Sequence, residues 1–131
     1  MSLERINPEE LAAPVGFSHA VRASGRTVYL AGQTALNAEG VIVGSGIVEQ
    51  FDVALGNLIT ALHAAGGHGE HLAKVTIFSV DPVEYRAHSR DLGAIWRRLV
   101  GRDYPAMTLV GVTRLWDDTA LVEIEGIAIL P

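Results

Sequence analysis

Cysteine is absent from the 131 residues, which excludes disulfide staples, thiolate nucleophiles and cysteine-ligated metals. Lysine occurs once, at Lys74, and charged residues of all kinds make up only 19% of the chain. Ten Lys plus Arg against fifteen Asp plus Glu leave a net charge of −5, a poor balance for neutralising nucleic-acid phosphates. No apolar run approaches the ~18 residues that would span a bilayer. The opening Met-Ser-Leu-Glu-Arg-Ile-Asn-Pro-Glu-Glu has neither a basic nor an apolar signal region, so a cytoplasmic protein is expected, with no membrane partner. Linkers, low-complexity tracts and internal repeats are also missing.

What is present is apolar: 49% of residues, with a mean hydropathy of +0.27. That excludes intrinsic disorder. At 14.0 kDa one domain is expected, hiding roughly two-thirds of the surface of the unfolded chain. Residues 1–14 are polar and read as a leader lying against it.

The pattern then alternates. His19–Ala23 and Thr27–Gln33 are β-type runs around Ser24-Gly25-Arg26, which predicts a hairpin. Val41–Val43 is a brief extended piece. From Gly46 to Ala65 the apolar residues Ile47, Phe51, Leu55, Leu58, Leu62 and Ala65 step by three or four, the period of a helix. Ser45 or Gly46 can start it and Gly66-Gly67 ends it. Leu72–Val80 is a strand. Asp81-Pro82-Val83-Glu84 is a helix start, and Tyr85, His88, Leu92, Ile95 or Trp96, and Leu99 carry a stripe to Gly101. Ala106–Leu115 and Ala120–Leu130 are two more strands around the turn at Trp116-Asp117-Asp118-Thr119. The β-α-β-α-β middle places both helices on one side of a sheet.

That arrangement leaves a face uncovered. Val122, Ile124, Gly126 and Ala128 point one way; Leu121, Glu123, Glu125, Ile127 and Ile129 point the other, and Ala106–Leu115 is apolar on both sides. A face open to water shows regular polar alternation, and this one does not. Copies of the same chain in a closed oligomer would bury it. The alternative cover, the N-terminal leader, is short and mostly polar. Glu123 and Glu125, at i and i+2 and ~6.7 Å apart on a strand, fall on the helix-free side. They form either an ion pair between subunits, for instance with Arg114, or a polar pocket where subunits meet.

Other constellations carry less. Gly16-Phe17-Ser18-His19-Ala20 approaches a nucleophile elbow but leads into a strand and lacks the last glycine. His63, His68 and His71 flank the end of the first helix, where the helix dipole favours them without a metal, so no metal is expected. Gly44-Ser45-Gly46 lacks the residues that complete a phosphate cradle. Arg97, Arg98 and Arg102 suit the end of the second helix.

Ala31-Gly32-Gln33, Gln50…Asn57-Leu58, Ala64-Ala65-Gly66, Lys74-Val75-Thr76, Tyr104-Pro105-Ala106, Thr113-Arg114-Leu115 and Val122-Glu123-Ile124-Glu125-Gly126-Ile127-Ala128 together resemble the RidA (YjgF, endoribonuclease L-PSP-like) family over residues 14–130. The resemblance implies an α+β, chorismate mutase-like fold: a mixed sheet of about six strands with two helices on one face. It implies one domain over 1–131 with 1–14 as its leader, and a homotrimer with a central barrel and ligand clefts between subunits. The implied activity is cofactor-free hydrolysis of reactive 2-imino or enamine acids to 2-keto acids and ammonia. An arginine would hold the substrate carboxylate, and a glutamate with backbone groups would position water.

Glu123 matches that glutamate. The arginine position holds Met107, which cannot make a bidentate contact to a carboxylate. The family's aromatic position near Gly16 falls at Phe17 or Ser18 and its asparagine at Ser89, and Trp116 stands where proline is usual. The expected binding set is Ser18, Ala31, Gly32, Ser89, Met107, Thr108 and Arg114. Three readings follow: an imine or enamine hydrolase of altered specificity, its substrate held elsewhere, as by Arg114; a non-catalytic trimer binding a small metabolite; or a ribonuclease, which the acidic charge disfavours.

Overall fold

The computed structural model describes residues 3–131. Its centre is a four-stranded sheet of β3 (Arg26–Gln33), β4 (Leu72–Ser79), β5 (Ala106–Gly111) and β6 (Val122–Leu130), in the order β3-β6-β4-β5. β6 runs antiparallel to both its neighbours, and β4 and β5 are parallel. Two shorter strands, β1 (Glu4–Ile6) and β2 (Ala20–Arg22), pair antiparallel beside it.

Helix α1 (Ile47–Ala64) lays Phe51, Leu55, Leu58 and Leu62 on this sheet, all at most 2% exposed. They meet Val75, Val122, Ile124 and Ala128, which are completely buried. The helix stops because Gly66 takes φ +89°: the Gly66 and Gly67 amides then donate back to the His63 and Leu62 carbonyls. The second helical segment starts as its sequence dictates, with the Glu84 amide donating to the Asp81 carboxylate and Pro82 in first position. It is broken at His88 into α2 (Pro82–Ala87) and α3 (Ser89–Leu99), and Leu92, Ile95 and Trp96 of α3 join the same core. Among the described residues no helix is long and apolar enough to cross a membrane.

Two pairings differ from the sequence expectation. β2 does not form a hairpin with β3; it pairs with β1, inside the segment read as a leader, and β3 pairs with β6. β5 and β6 are not adjacent either: β4 lies between them, and the chain leaves β5 after Gly111. Both expectations joined strands close in sequence, whereas sheet order is set by which faces can be buried together.

The parity of β6 is as its sequence implies. Val122, Ile124, Ala128 and Leu130 are buried under the helices, while Glu123, Glu125, Ile127 and Ile129 point away. With them on the helix-free face lie Tyr29, opposite Ile127, and Thr76 and Phe78, opposite Glu125 and Glu123. Tyr29 is 79% exposed.

Candidate functional site

A cleft of about 390 Å³ opens between the helical layer and strand β5. Its floor is core: Phe51, Ile77, Leu92 and Trp96, all buried. One wall is a stripe at a constant spacing of four residues, Tyr85, Ser89, Gly93 and Arg97, which runs across the break between α2 and α3. Opposite stand Met107 and Tyr104, and Tyr104 stacks on Trp96 with ring centroids 5.3 Å apart. A smaller hollow of about 200 Å³ shares Met107 and Tyr85 and runs on to Phe17, Thr108 and Leu109.

The polar groups of the cleft sit at its rim. Burial pushes the Tyr85 phenol up to about 12, and the neighbouring Tyr104 phenol adds to the shift. Tyr85 also packs edge-on against Phe51, with centroids 5.9 Å apart. The guanidinium of Arg97 lies back along α3, so that a Cβ at Gly93 would be 3.5 Å from its Nη1. The adjacent Arg98 points elsewhere and pairs with Asp52. Ser89 turns its hydroxyl to the Arg86 carbonyl.

The second feature lies on the other face of the sheet. Glu123 projects from β6 toward the bulge in β3 that falls between Leu30 and Gln33. Its carboxylate rests on Gly32, where a Cβ would come within 2.3 Å of Oε2. Any larger residue at position 32 would push the carboxylate aside. Ala31 and Gly32 are exposed at this edge, so the Glu123 group and the Ala31-Gly32 backbone are side by side. Glu123 makes no hydrogen bond or ion pair with another described residue, although it is half-buried.

Five of the expected site residues fall in two places. Met107 and Ser89 line the cleft; Glu123, Ala31 and Gly32 meet on the far side of the sheet. Thr108 stands on edge strand β5 and accepts a 2.8 Å hydrogen bond from Lys74 Nζ. Ser18 is 5% exposed, and its hydroxyl donates to the Tyr104 carbonyl at 2.7 Å, which ties the loop before β2 to the start of β5. Arg114 donates to the Leu115 and Trp116 carbonyls and so braces its own turn. The histidines cluster without converging: His68 lies 5.6 Å from His63 and 5.8 Å from His71, ring to ring, and no group among the described residues is arranged to hold a metal ion. Reading the sequence missed Tyr104 as a wall and Arg97 as a lining residue; the four-residue step from Tyr85 to Arg97 is the signal that could have found the latter.

Comparison with known proteins agrees with this architecture. The family model for Endoribonuclease L-PSP matches residues 8–130. The RutC family protein slr0709 of Synechocystis sp. is 35% identical over 134 residues, covering 100% of this chain and 99% of its own. The 2-iminobutanoate/2-iminopropanoate deaminase of Dermatophagoides farinae is 32% identical over 133 residues, with 99% of each chain covered. Among solved structures, the Rid family protein YyfB from Yersinia pestis superposes with a TM-score of 0.88 at 36% identity, covering 99% of this chain and 100% of that one. Sheet order, helix placement and these matches agree, and the chain belongs to the RidA (YjgF) family of endoribonuclease L-PSP-like proteins.

Proposed function

We propose that this chain is a cofactor-independent hydrolase of imine or enamine metabolites, acting as a single domain in a homotrimer, with a specificity altered by Met107. The observation that carries the reading is the Glu123 carboxylate, half-buried on the helix-free face and without a partner among the described residues. A carboxylate so placed is a ready general base. It would take a proton from water as the oxygen adds to the carbon of the C=N bond. That proton goes to nitrogen and gives a carbinolamine; its hydroxyl proton then passes to nitrogen, with Glu123 as relay, as C=O forms and the C–N bond breaks, and ammonia and a carbonyl compound leave.

Met107 and Glu123 lie on opposite faces of the sheet, so one subunit does not assemble this site. Tyr29, Phe78, Val110, Ile127 and Ile129 share the helix-free face with Glu123 and give it an apolar surface suited to contact between copies. Closure of three subunits around it would bring the Glu123 edge of one against the cleft of the next.

In relatives named as deaminases of 2-iminobutanoate and 2-iminopropanoate, the substrates are small acids. Met107 offers such an acid no charge-assisted contact, a loss on the order of ten- to hundredfold in affinity. Hydrolysis of 2-iminobutyrate, followed by ammonia release, tests this. Met107→Arg should raise turnover of this small acid at least tenfold, and Glu123→Ala should abolish it. A wild type already as fast as the arginine variant would overturn the role given to Met107. The apolar floor of the cleft favours one alternative, a non-catalytic trimer that binds a small metabolite; binding that persists in Glu123→Ala with no turnover by any variant would establish it.

A further inference from the structure

The cleft lacks an arginine on β5, yet it does not lack an arginine. We propose that Arg97 of α3 is the carboxylate anchor of this cleft and that the cleft takes a 2-imino acid or enamine with an aromatic or bulky apolar side chain. The inference rests on the hydrolase reading for the reaction, but its geometry stands apart from Glu123.

Three observations converge. Among the described residues Arg97 is the only cation lining the cleft, and it makes no ion pair or hydrogen bond with another of them, whereas its neighbour Arg98 is taken by Asp52. Its side chain lies back over Gly93, the small residue four positions earlier, which places the guanidinium along the wall. Ser89 and Gly93 keep the middle of that wall low, which leaves room between Arg97 at one end and the Tyr85 phenol at the other. That phenol is protonated at neutral pH, as any tyrosine is, and so able to donate.

The body of the ligand follows from what lies beneath. Phe51, Leu92, Trp96 and Met107 present an apolar floor, with Trp96 and Tyr104 stacked at one side. About 390 Å³ is generous for a three- or four-carbon acid and suits a ring or branched chain beside the carboxylate. A methionine on β5 improves such a floor, because its thioether packs against aromatic rings where a guanidinium would have to be desolvated. Moving the cation from β5 to α3 thus exchanges a site for small acids for one that reads a charged head and an apolar tail at separate places.

Calorimetric titration of the full chain with three stable probes tests the assignment: 3-phenylpropanoate, its neutral amide, and propanoate. The wild type should bind 3-phenylpropanoate at least tenfold more tightly than either of the others. Arg97→Gln should bring acid and amide within about twofold of each other, while Arg98→Gln, which removes an equal charge outside the cleft, should keep the preference. Gly93→Leu should block all binding with the thermal transition retained. Equal binding of acid and amide by the wild type, or an acid preference untouched by Arg97→Gln, overturns the anchor. Hydrolysis assays on the same variants separate the two proposals. Turnover that needs Glu123 but is indifferent to Arg97 refutes the anchor and spares the hydrolase. An Arg97-dependent acid preference without turnover supports the anchor and refutes the hydrolase.

Discussion

The two faces of the central sheet are built from the same strands and behave differently. On the helical face Val75, Val122, Ile124 and Ala128 have no exposure, and they touch α1 residues that have almost none. On the other face their neighbours in sequence, Thr76, Glu123, Glu125 and Ile127, remain partly or wholly open. The first face accounts for the stability of one chain. The second is partly open and carries the Glu123 carboxylate, which has no partner among the described residues; the proposed contact and chemistry fall on this face.

Truncation on each face should break this symmetry most visibly. Leu58→Ala removes a fully buried side chain from the helix–sheet contact and should cost about 2–5 kcal/mol in urea unfolding. Ile127→Ser alters the partner of Tyr29 on the open face, and should change the mass seen by light scattering far more than the unfolding of the separated chain. A large loss of monomer stability in Ile127→Ser would show that the open face belongs to the core after all.

A smaller effect sharpens the contrast between closed core and cleft. Tyr85 stands where they meet, its phenol raised to about 12 by burial and by Tyr104. In the unfolded chain the same group titrates near 10. A raised folded value means the native state holds the proton more tightly, so the contribution is complete below pH ~10 and is lost as pH rises through about 12. Stability should fall across that window by about 2–3 kcal/mol more in the wild type than in Tyr85→Phe. Parallel curves for the two proteins would place Tyr85 in water.

Much of the closed face was legible in the sequence. The three- and four-residue steps from Ile47 to Leu62 mark α1, and the alternation through Val122, Ile124 and Ala128 assigns each side chain of β6 to its face without knowledge of its partners. Strand order was not legible, because β6 inserts between β3 and β4 through contacts between residues far apart in the chain, such as Arg26 with Leu130 and Leu72 with Ala128, and β2 finds β1 rather than its neighbour β3. Of the two proposed site groups, one stands out in the sequence. Glu123 stands out as a charge on an apolar strand. Arg97 does not, since an arginine near a helix C-terminus already has a sufficient reason in the helix dipole. Only the low wall made by Ser89 and Gly93 turns it into a lining residue.

The subtlest test concerns the edge where the open face carries its carboxylate. Gly32 has no need of a left-handed backbone, so alanine fits the chain conformation there. Its Cβ would nonetheless fall 2.3 Å from Glu123 Oε2 and 2.9 Å from the carboxyl carbon, and something must move. The displaced atoms are the far end of a flexible side chain that holds no partner, so Gly32→Ala should shift unfolding stability by no more than about 0.5 kcal/mol. The proposed hydrolysis would be less tolerant, because a displacement of about 1 Å at a catalytic group can cost up to ~100-fold. Gly32→Ala should therefore reduce imine hydrolysis at least tenfold while melting with the wild type. Full activity in a variant of unchanged stability would mean that the position of the Glu123 carboxylate over Gly32 does not matter to the reaction, and that the open face serves assembly alone.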